Sequence, residues 1–226
     1  MKRFLSIFIA LFIILNFSAC SNTKNEKTIK IGVIDSCISS EIQSKYDITE
    51  MNDMVGVQTD NNITHGSMIL SIILQNVSNC EIFYCSVYDE KCIGKIDDVA
   101  NAINWCIDNN VDIITMSFAT LTDNEYMREC VKKAIDNNIL ITASCINLSD
   151  KTCYPAMYDD VISVSEGINN QASVILKGKA VQFTIDGIKM EKRGVSFLTA
   201  YVCGKIANKL SEGIAVEKIV KDLNFE

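Results

Sequence analysis

Residues Ile29–Ser39 read IKIGVIDSCIS. Five β-branched residues fall on both parities of this run, which predicts a strand buried on both faces, as in a parallel sheet covered by helices. Asp35 then stands at the carboxyl end of that strand, where ligand and catalytic groups gather in open α/β sheets. A strand-end Asp can equally be a turn or helix cap. Outward from this run, apolar β-branched segments alternate with segments of helical period. Strands are predicted at Glu81–Tyr88, Val111–Ser117, Ile139–Ser144 and Val161–Ser165. Helices are predicted from near His65, over Asp97–Asn109 and Asp123–Asn137, from about Ser196 to Leu210, and over Ala215–Leu223. Asp97 or Asp98 is expected to cap the helix it opens. Ala172–Met190 alternates weakly around Gly178 and Gly187, which suits antiparallel ribbon or irregular loop. The pattern predicts an α/β fold in three layers, a mostly parallel central sheet with helices on both faces.

The chain has 226 residues, 48% of them hydrophobic, enough for one sizeable core and one domain. A formal net charge of -7 offers no attraction to nucleic acid or to an anionic membrane surface. The N-terminus has signal-peptide architecture: Met1-Lys2-Arg3 is basic, Phe4 to Phe17 is almost wholly apolar, and Ser18-Ala19-Cys20 closes it. Small residues before a cysteine resemble the lipobox of bacterial lipoproteins, which implies acylation at Cys20. An uncleaved anchor helix is the alternative, although the stretch is short for a span of about 20 residues. The reading divides the chain into a signal segment 1–19, a tether 20–28 and a domain 29–226, held on the outer face of the cell membrane. Without Cys20, nine cysteines remain, an odd number with no repeating spacing, so no disulfide framework is expected. Cys145 and Cys203 fall where a small hydrophobe would serve. No CxxC pair exists and His65 is the single histidine, so no metal site of Cys/His type is expected.

Three short segments carry residues that could act together. Thr64–Leu74, THGSMILSIIL, opens a helix on His65, followed by a glycine too small to obstruct the ring. Gly194–Ala207, GVSFLTAYVCGKIA, places Ser196 before an apolar helical run, where backbone amides favour developing negative charge. Taken singly, His65 is a satisfied helix-start histidine and Ser196 an N-cap. Taken with Asp35, they supply a carboxylate, a base and a hydroxyl nucleophile.

In combination the segments resemble the subtilases, whose blocks are a strand ending Asp-Ser/Thr-Gly, a His-Gly-Thr helix start and Gly-Thr-Ser before a buried helix. The order Asp, His, Ser is that family's. Val111–Thr120, VDIITMSFAT, resembles the strand entering the substrate-binding segment. ILITASCINLSD at Ile139–Asp150 resembles the strand that carries the oxyanion-hole asparagine, and CYPAMYDDVISVS at Cys153–Ser165 resembles the segment after it. The resemblance covers about Ile29 to Leu210 and implies a subtilisin-like serine endopeptidase with the triad Asp35, His65 and Ser196. It further implies an oxyanion hole at Asn147 and the Ser196 amide, and substrate contacts at Ser117, Phe118 and Ala119. The partner is then a peptide or protein substrate, met by a monomer, with maturation of a secreted peptide a fitting task. No cofactor is implied, and the loops that bear calcium in the family are short here.

Several positions depart from the family. Cys37 follows Asp35-Ser36, Ser67 follows His65-Gly66, Val195 precedes Ser196, and Ala200 replaces a proline. Phe118-Ala119-Thr120 replaces a glycine-rich strand, which would narrow the specificity pocket. That last change leaves an alternative open: a pseudoprotease that keeps the cleft only to bind peptides or a protein partner.

Overall fold

The computed structural model describes residues 27–147, 149–167 and 171–223. The signal segment and Cys20 lie outside them. The opening strand forms as expected: β1, Ile29–Ser36, is buried along nearly its whole length. It pairs in parallel with β3, Cys80–Tyr88, on one side and with β4, Ile113–Met116, on the other. β2, Glu50–Asp53, flanks β3. Beyond β4 come β5, Leu140–Ser144, β6, Ile162–Ser165, and the two-residue β7, Val174–Ile175. The sheet order is therefore β2-β3-β1-β4-β5-β6-β7, every pairing parallel. The chain leaves β1 for β3 on one side and then crosses to β4 on the other. That reversal opens a crevice at the carboxyl ends of β1 and β4, the usual ligand position in such sheets.

Helices cover both faces. α2, His65–Leu74, packs with α5, Val195–Ser211. α3, Ile96–Asp108, packs with α4, Glu125–Asp136. Side chains alternate across a strand, so Gly32 and Asp35 of β1 point to opposite faces. A Cβ at Gly32 would lie 2.7 Å from the Cys106 sulfur of α3, while Asp35 meets α2. The glycine lets α3 lie close to the sheet. α1, Ser40–Lys45, and α6, Val216–Leu223, complete the helices. Among the described residues no helix is long and apolar enough to cross a membrane.

Local signals explain most boundaries. α2 starts on a reciprocal cap: the Thr64 side chain accepts from the Ser67 N–H, and Ser67 Oγ accepts from the Thr64 N–H. α4 is capped by Asn124, which accepts from the Met127 N–H at 2.8 Å. The expected caps of α3 are corrected, because the helix begins at Ile96 after Lys95, with no side-chain cap. Asp97 and Asp98 sit inside its first turn, where they complement the helix dipole instead. The weakly alternating stretch 172–190 resolves into β7 and a hairpin of β8, Val181–Ile185, and β9, Ile188–Lys192. Asp186 and Gly187 both take positive φ, 50° and 76°, the two-residue turn that Asp-Gly favours. Val181, Phe183 and Ile185 face inward. The hairpin is fastened to α2, whose Ser71 Oγ donates to the Thr184 carbonyl at 2.7 Å. Lys27 and Thr28 already bond to the domain, through the Ser211 carbonyl and Asn79 respectively.

Candidate active site

A chain of contacts links the predicted site residues: Asp35 to His65, His65 to Phe197 beside Ser196, Ser196 to Ser117, and Asn147 to Val195. Asp35 is 2% exposed as a side chain, and its Oδ1 accepts from the Ser36 N–H and from His65 Nδ1, both at 2.7 Å. Its Oδ2 is buried with no hydrogen-bond partner among the described residues. Among the described residues the imidazole is therefore the side chain that balances this buried carboxylate, and losing it would leave the charge uncompensated. A carboxylate on Nδ1 holds that nitrogen protonated and leaves Nε2 with its lone pair free. The ring keeps 23% of its surface exposed, enough for a substrate to reach it.

The angle between Asp35 and His65 is set by a second layer of contacts. Ser36 Oγ accepts from the Gly66 N–H at 2.9 Å, tying the end of β1 to the first turn of α2. The fully buried Tyr84 of β3 donates to the Ser36 carbonyl at 2.6 Å. Gly66 is required by this clamp: a Cβ there would stand 1.9 Å from the Tyr84 hydroxyl and 2.5 Å from the Ser36 carbonyl oxygen. Gly66→Ala is expected to destabilise the fold by about 1–3 kcal/mol, as overpacking of a filled site does. A denaturant melt with an unchanged midpoint would contradict this packing.

Asp35 raises the His65 pKa above its ordinary 6.5, chiefly by charge attraction and also through the hydrogen bond, with burial acting in the opposite direction. The raised value favours the imidazolium that a proton-accepting base must become.

Ser196 lies in the first turn of α5. The turn starts from Gly194, whose φ of +125° and ψ of 151° are open essentially to glycine alone. Ser196 Oγ donates to the Ser117 carbonyl at 2.6 Å, so its one proton is not donated to His65 in this state. Phe197 stands with its ring centroid 6.0 Å from that of His65 and stacks on Phe183 at 6.5 Å. The aromatic contact lines α5, the hairpin and the imidazole against one another.

Asn147 follows β5, and its Oδ1 accepts from the Val195 N–H at 2.7 Å. With its acceptor half bound to the start of α5, the amide has its NH2 as the half that can donate. The Ser196 N–H is one of the first-turn groups that a helix leaves without an intrahelical partner.

Ser117, Phe118 and Ala119 leave β4 along the rim. Thr120 pairs with Tyr154 through two backbone bonds of 2.9 and 2.8 Å, which fixes the segment against the chain beyond Asn147. The Phe118 ring packs edge-on against Tyr88 at 4.9 Å. Among the described residues no group of three or more His, Cys, Asp or Glu side chains is arranged to hold a metal ion. The clamp of Ser36, Gly66 and Tyr84 has no signal in the sequence. Tyr84 reads there as one more apolar strand residue, and only the β1–β3 register brings its hydroxyl to Ser36.

Residues 26–208 match the model of the Subtilase family. The chain is 28% identical over 176 residues to the minor extracellular protease Epr of Bacillus subtilis (strain 168), covering 71% of this chain and 27% of Epr. It is 26% identical over 215 residues to subtilisin NAT of Bacillus subtilis subsp. natto, covering 81% and 56% respectively. The major intracellular serine protease of Bacillus subtilis (strain 168) is 26% identical over 216 residues, covering 80% of this chain and 68% of the protease. The chain thus spans about a quarter of Epr and about half of subtilisin NAT. In fold it is similar to the prenylagaramide maturation protease PagA, with a TM-score of 0.67 and 21% identity over 81% of this chain and 76% of that one. A parallel sheet that reverses direction beside Asp35, covered by helices that begin at His65 and Val195, is thus matched by a family model over most of its length, and the chain belongs to the subtilase family.

Proposed function

We propose that the protein is a serine endopeptidase in which Ser196 is the nucleophile, His65 its general base and Asp35 the group that fixes the imidazole. The observation that carries this reading is the 2.7 Å contact between His65 Nδ1 and a buried Asp35, which leaves Nε2 as the nitrogen that can accept a proton. An extended peptide laid along the exit of β4 takes the Ser117 carbonyl as acceptor for its own N–H. That releases the Ser196 hydroxyl to turn about its Cα–Cβ bond toward Nε2, in keeping with catalytic hydrogen bonds that tighten only with substrate present. Ser196 attacks the scissile carbonyl, His65 takes the proton and passes it to the leaving amine, and water releases the acyl group. The Asn147 NH2 and the Ser196 N–H bind the oxyanion.

Side chains at Phe118 and Ala119, where the family has a glycine-rich strand, favour a restricted set of substrates. Maturation of one secreted peptide by an enzyme tethered through Cys20 fits that restriction. Because His65 must be neutral to accept a proton and Asp35 raises its pKa, kcat/KM on a peptide mixture should climb with pH through an inflection above 6.5. A rate without that limb would count against His65 as base.

Asn147→Ala should lower kcat by about 10²–10³, as loss of one oxyanion donor does, with little change in KM. An equal rise in KM would mean that Asn147 merely binds substrate. The Ser196 to Ser117 hydrogen bond also suits a cleft that binds without cutting; peptides retained intact by the full chain at every pH would favour that reading.

A further inference from the structure

The Ser196 hydroxyl donates to the Ser117 carbonyl at 2.6 Å, so in this state its proton does not join the nucleophile to His65. Among the described residues the hydrogen bond that holds the imidazole runs between Nδ1 and Asp35 Oδ1. One hydrogen bond fixes the place of one ring nitrogen but leaves the ring plane free to turn about it, because its angular demands are broad. Packing has to supply the second constraint. The Phe197 ring is placed to do so: its centroid lies 6.0 Å from that of His65, with the two planes 43° apart, inside the range of favourable ring pairs.

Phe197 is itself confined. The half-buried ring stacks on Phe183 at 6.5 Å, with the planes 19° apart, and a Cβ on Gly194 would stand 3.8 Å from its Cδ2. Phe183 is 3% exposed and belongs to β8, which is docked on α2. Besides Ser71, Gln75 holds that strand: its amide donates to the Thr184 carbonyl at 3.2 Å and accepts from the Thr184 N–H at 3.1 Å. α2 is also the helix that opens on His65. The contacts therefore close a circuit from His65 along α2 to β8, from Phe183 to Phe197, and from Phe197 back to His65. Phe197 follows Ser196 directly, and the N–H of Val195 before them is held by Asn147 at 2.7 Å. A shift at the start of α5 thus carries the nucleophile and the ring together.

We propose that Phe197, backed by Phe183, is a positioning residue that holds the imidazole plane of His65 fixed relative to Ser196. The inference rests on the proteolytic reading and adds to it the contact that keeps base and nucleophile aligned before a substrate arrives. His65 is the single histidine of the chain, so its Nδ1 proton gives one identifiable resonance when histidine is isotopically labelled.

The test compares the full labelled chain with Phe197→Ala and Phe197→Val by nuclear magnetic resonance, each well below its melting point. A sharp Nδ1 proton resonance is expected in the parent, and in both variants it should broaden or be lost to exchange with water. On a peptide substrate both should lower kcat by about 10- to 10²-fold, the scale of a misplacement of roughly 1 Å, with KM unchanged. A ring that served stability alone would lower the melting point and leave the resonance and kcat as in the parent. That outcome overturns the proposal, as does a parent chain without the resonance. Should the alanine variant fail to fold, the valine variant gives the same decision. A parent chain that cleaves no peptide would remove the proteolytic reading, while the resonance would still decide whether Phe197 fixes the ring.

Discussion

Ser196→Ala is expected to lower kcat by roughly 10⁶, the scale seen when the nucleophile of an intact triad is removed. The fold should hardly notice. Ser196 is half-buried and the change removes one hydrogen bond, to the Ser117 carbonyl, worth about 1 kcal/mol net. Parallel measurements of peptide cleavage and of the melting curve separate the two effects. Near-complete loss of cleavage with a melting point within a few degrees of the parent is the predicted result. Retained cleavage would move the nucleophile elsewhere. Because members of a triad act as a unit, adding Asp35→Asn to the alanine variant should cost almost nothing further.

Asp35→Asn alone should lower kcat by about 10⁴, since an amide cannot keep His65 Nδ1 protonated and the imidazole takes the wrong tautomer. The substitution also has a stability cost. Oδ2 is buried without a partner among the described residues, and an NH2 placed there becomes a buried donor without an acceptor, worth about 1–3 kcal/mol. The pH profile distinguishes the two costs. The largest contribution raising the His65 pKa is the charge of Asp35, so the residual activity of the variant should have its acid limb at lower pH than the parent. A purely structural loss would scale the rate down and leave the inflection where it was.

Much of this arrangement was legible in the sequence because it is local. The β-branched run at Ile29–Ile34, ending in Asp35, specifies a buried strand and its carboxyl end. The apolar periods after His65 and Ser196 specify helices that start at His65 and one residue before Ser196. What escaped was either weakly patterned or long-range. β2, Glu50–Asp53, has no apolar run because it is an edge strand with both ends exposed. α1 is a turn and a half, supported by the Ser39 cap, too short for a period to show. The hairpin around Asp186-Gly187 was legible only as antiparallel ribbon or irregular loop, because one strand beside the turn, β8, alternates cleanly and β9 does not.

The site divides in the same way. Asp35, His65, Asn147 and Ser196 stand at the ends or starts of elements, where motif reading works. The clamp by Ser36, Gly66 and Tyr84 depends on the register that sets Val33 beside Tyr84 and Asp35 beside Ser86. No local pattern encodes it. The turn of the Ser196 hydroxyl toward Ser117 is a rotamer choice, made by what surrounds the side chain and not by its neighbours in sequence.

The central claim is that His65 and Asp35 activate Ser196. A fluorophosphonate, which reacts with an activated serine hydroxyl, tests it directly when the labelled chain is digested and the modified residue located by mass spectrometry. The account predicts one adduct per chain, on Ser196, forming faster as pH rises through an inflection above 6.5 and absent from His65→Ala. A parent chain that remains unlabelled at every pH, or that carries the adduct on another residue, would contradict it.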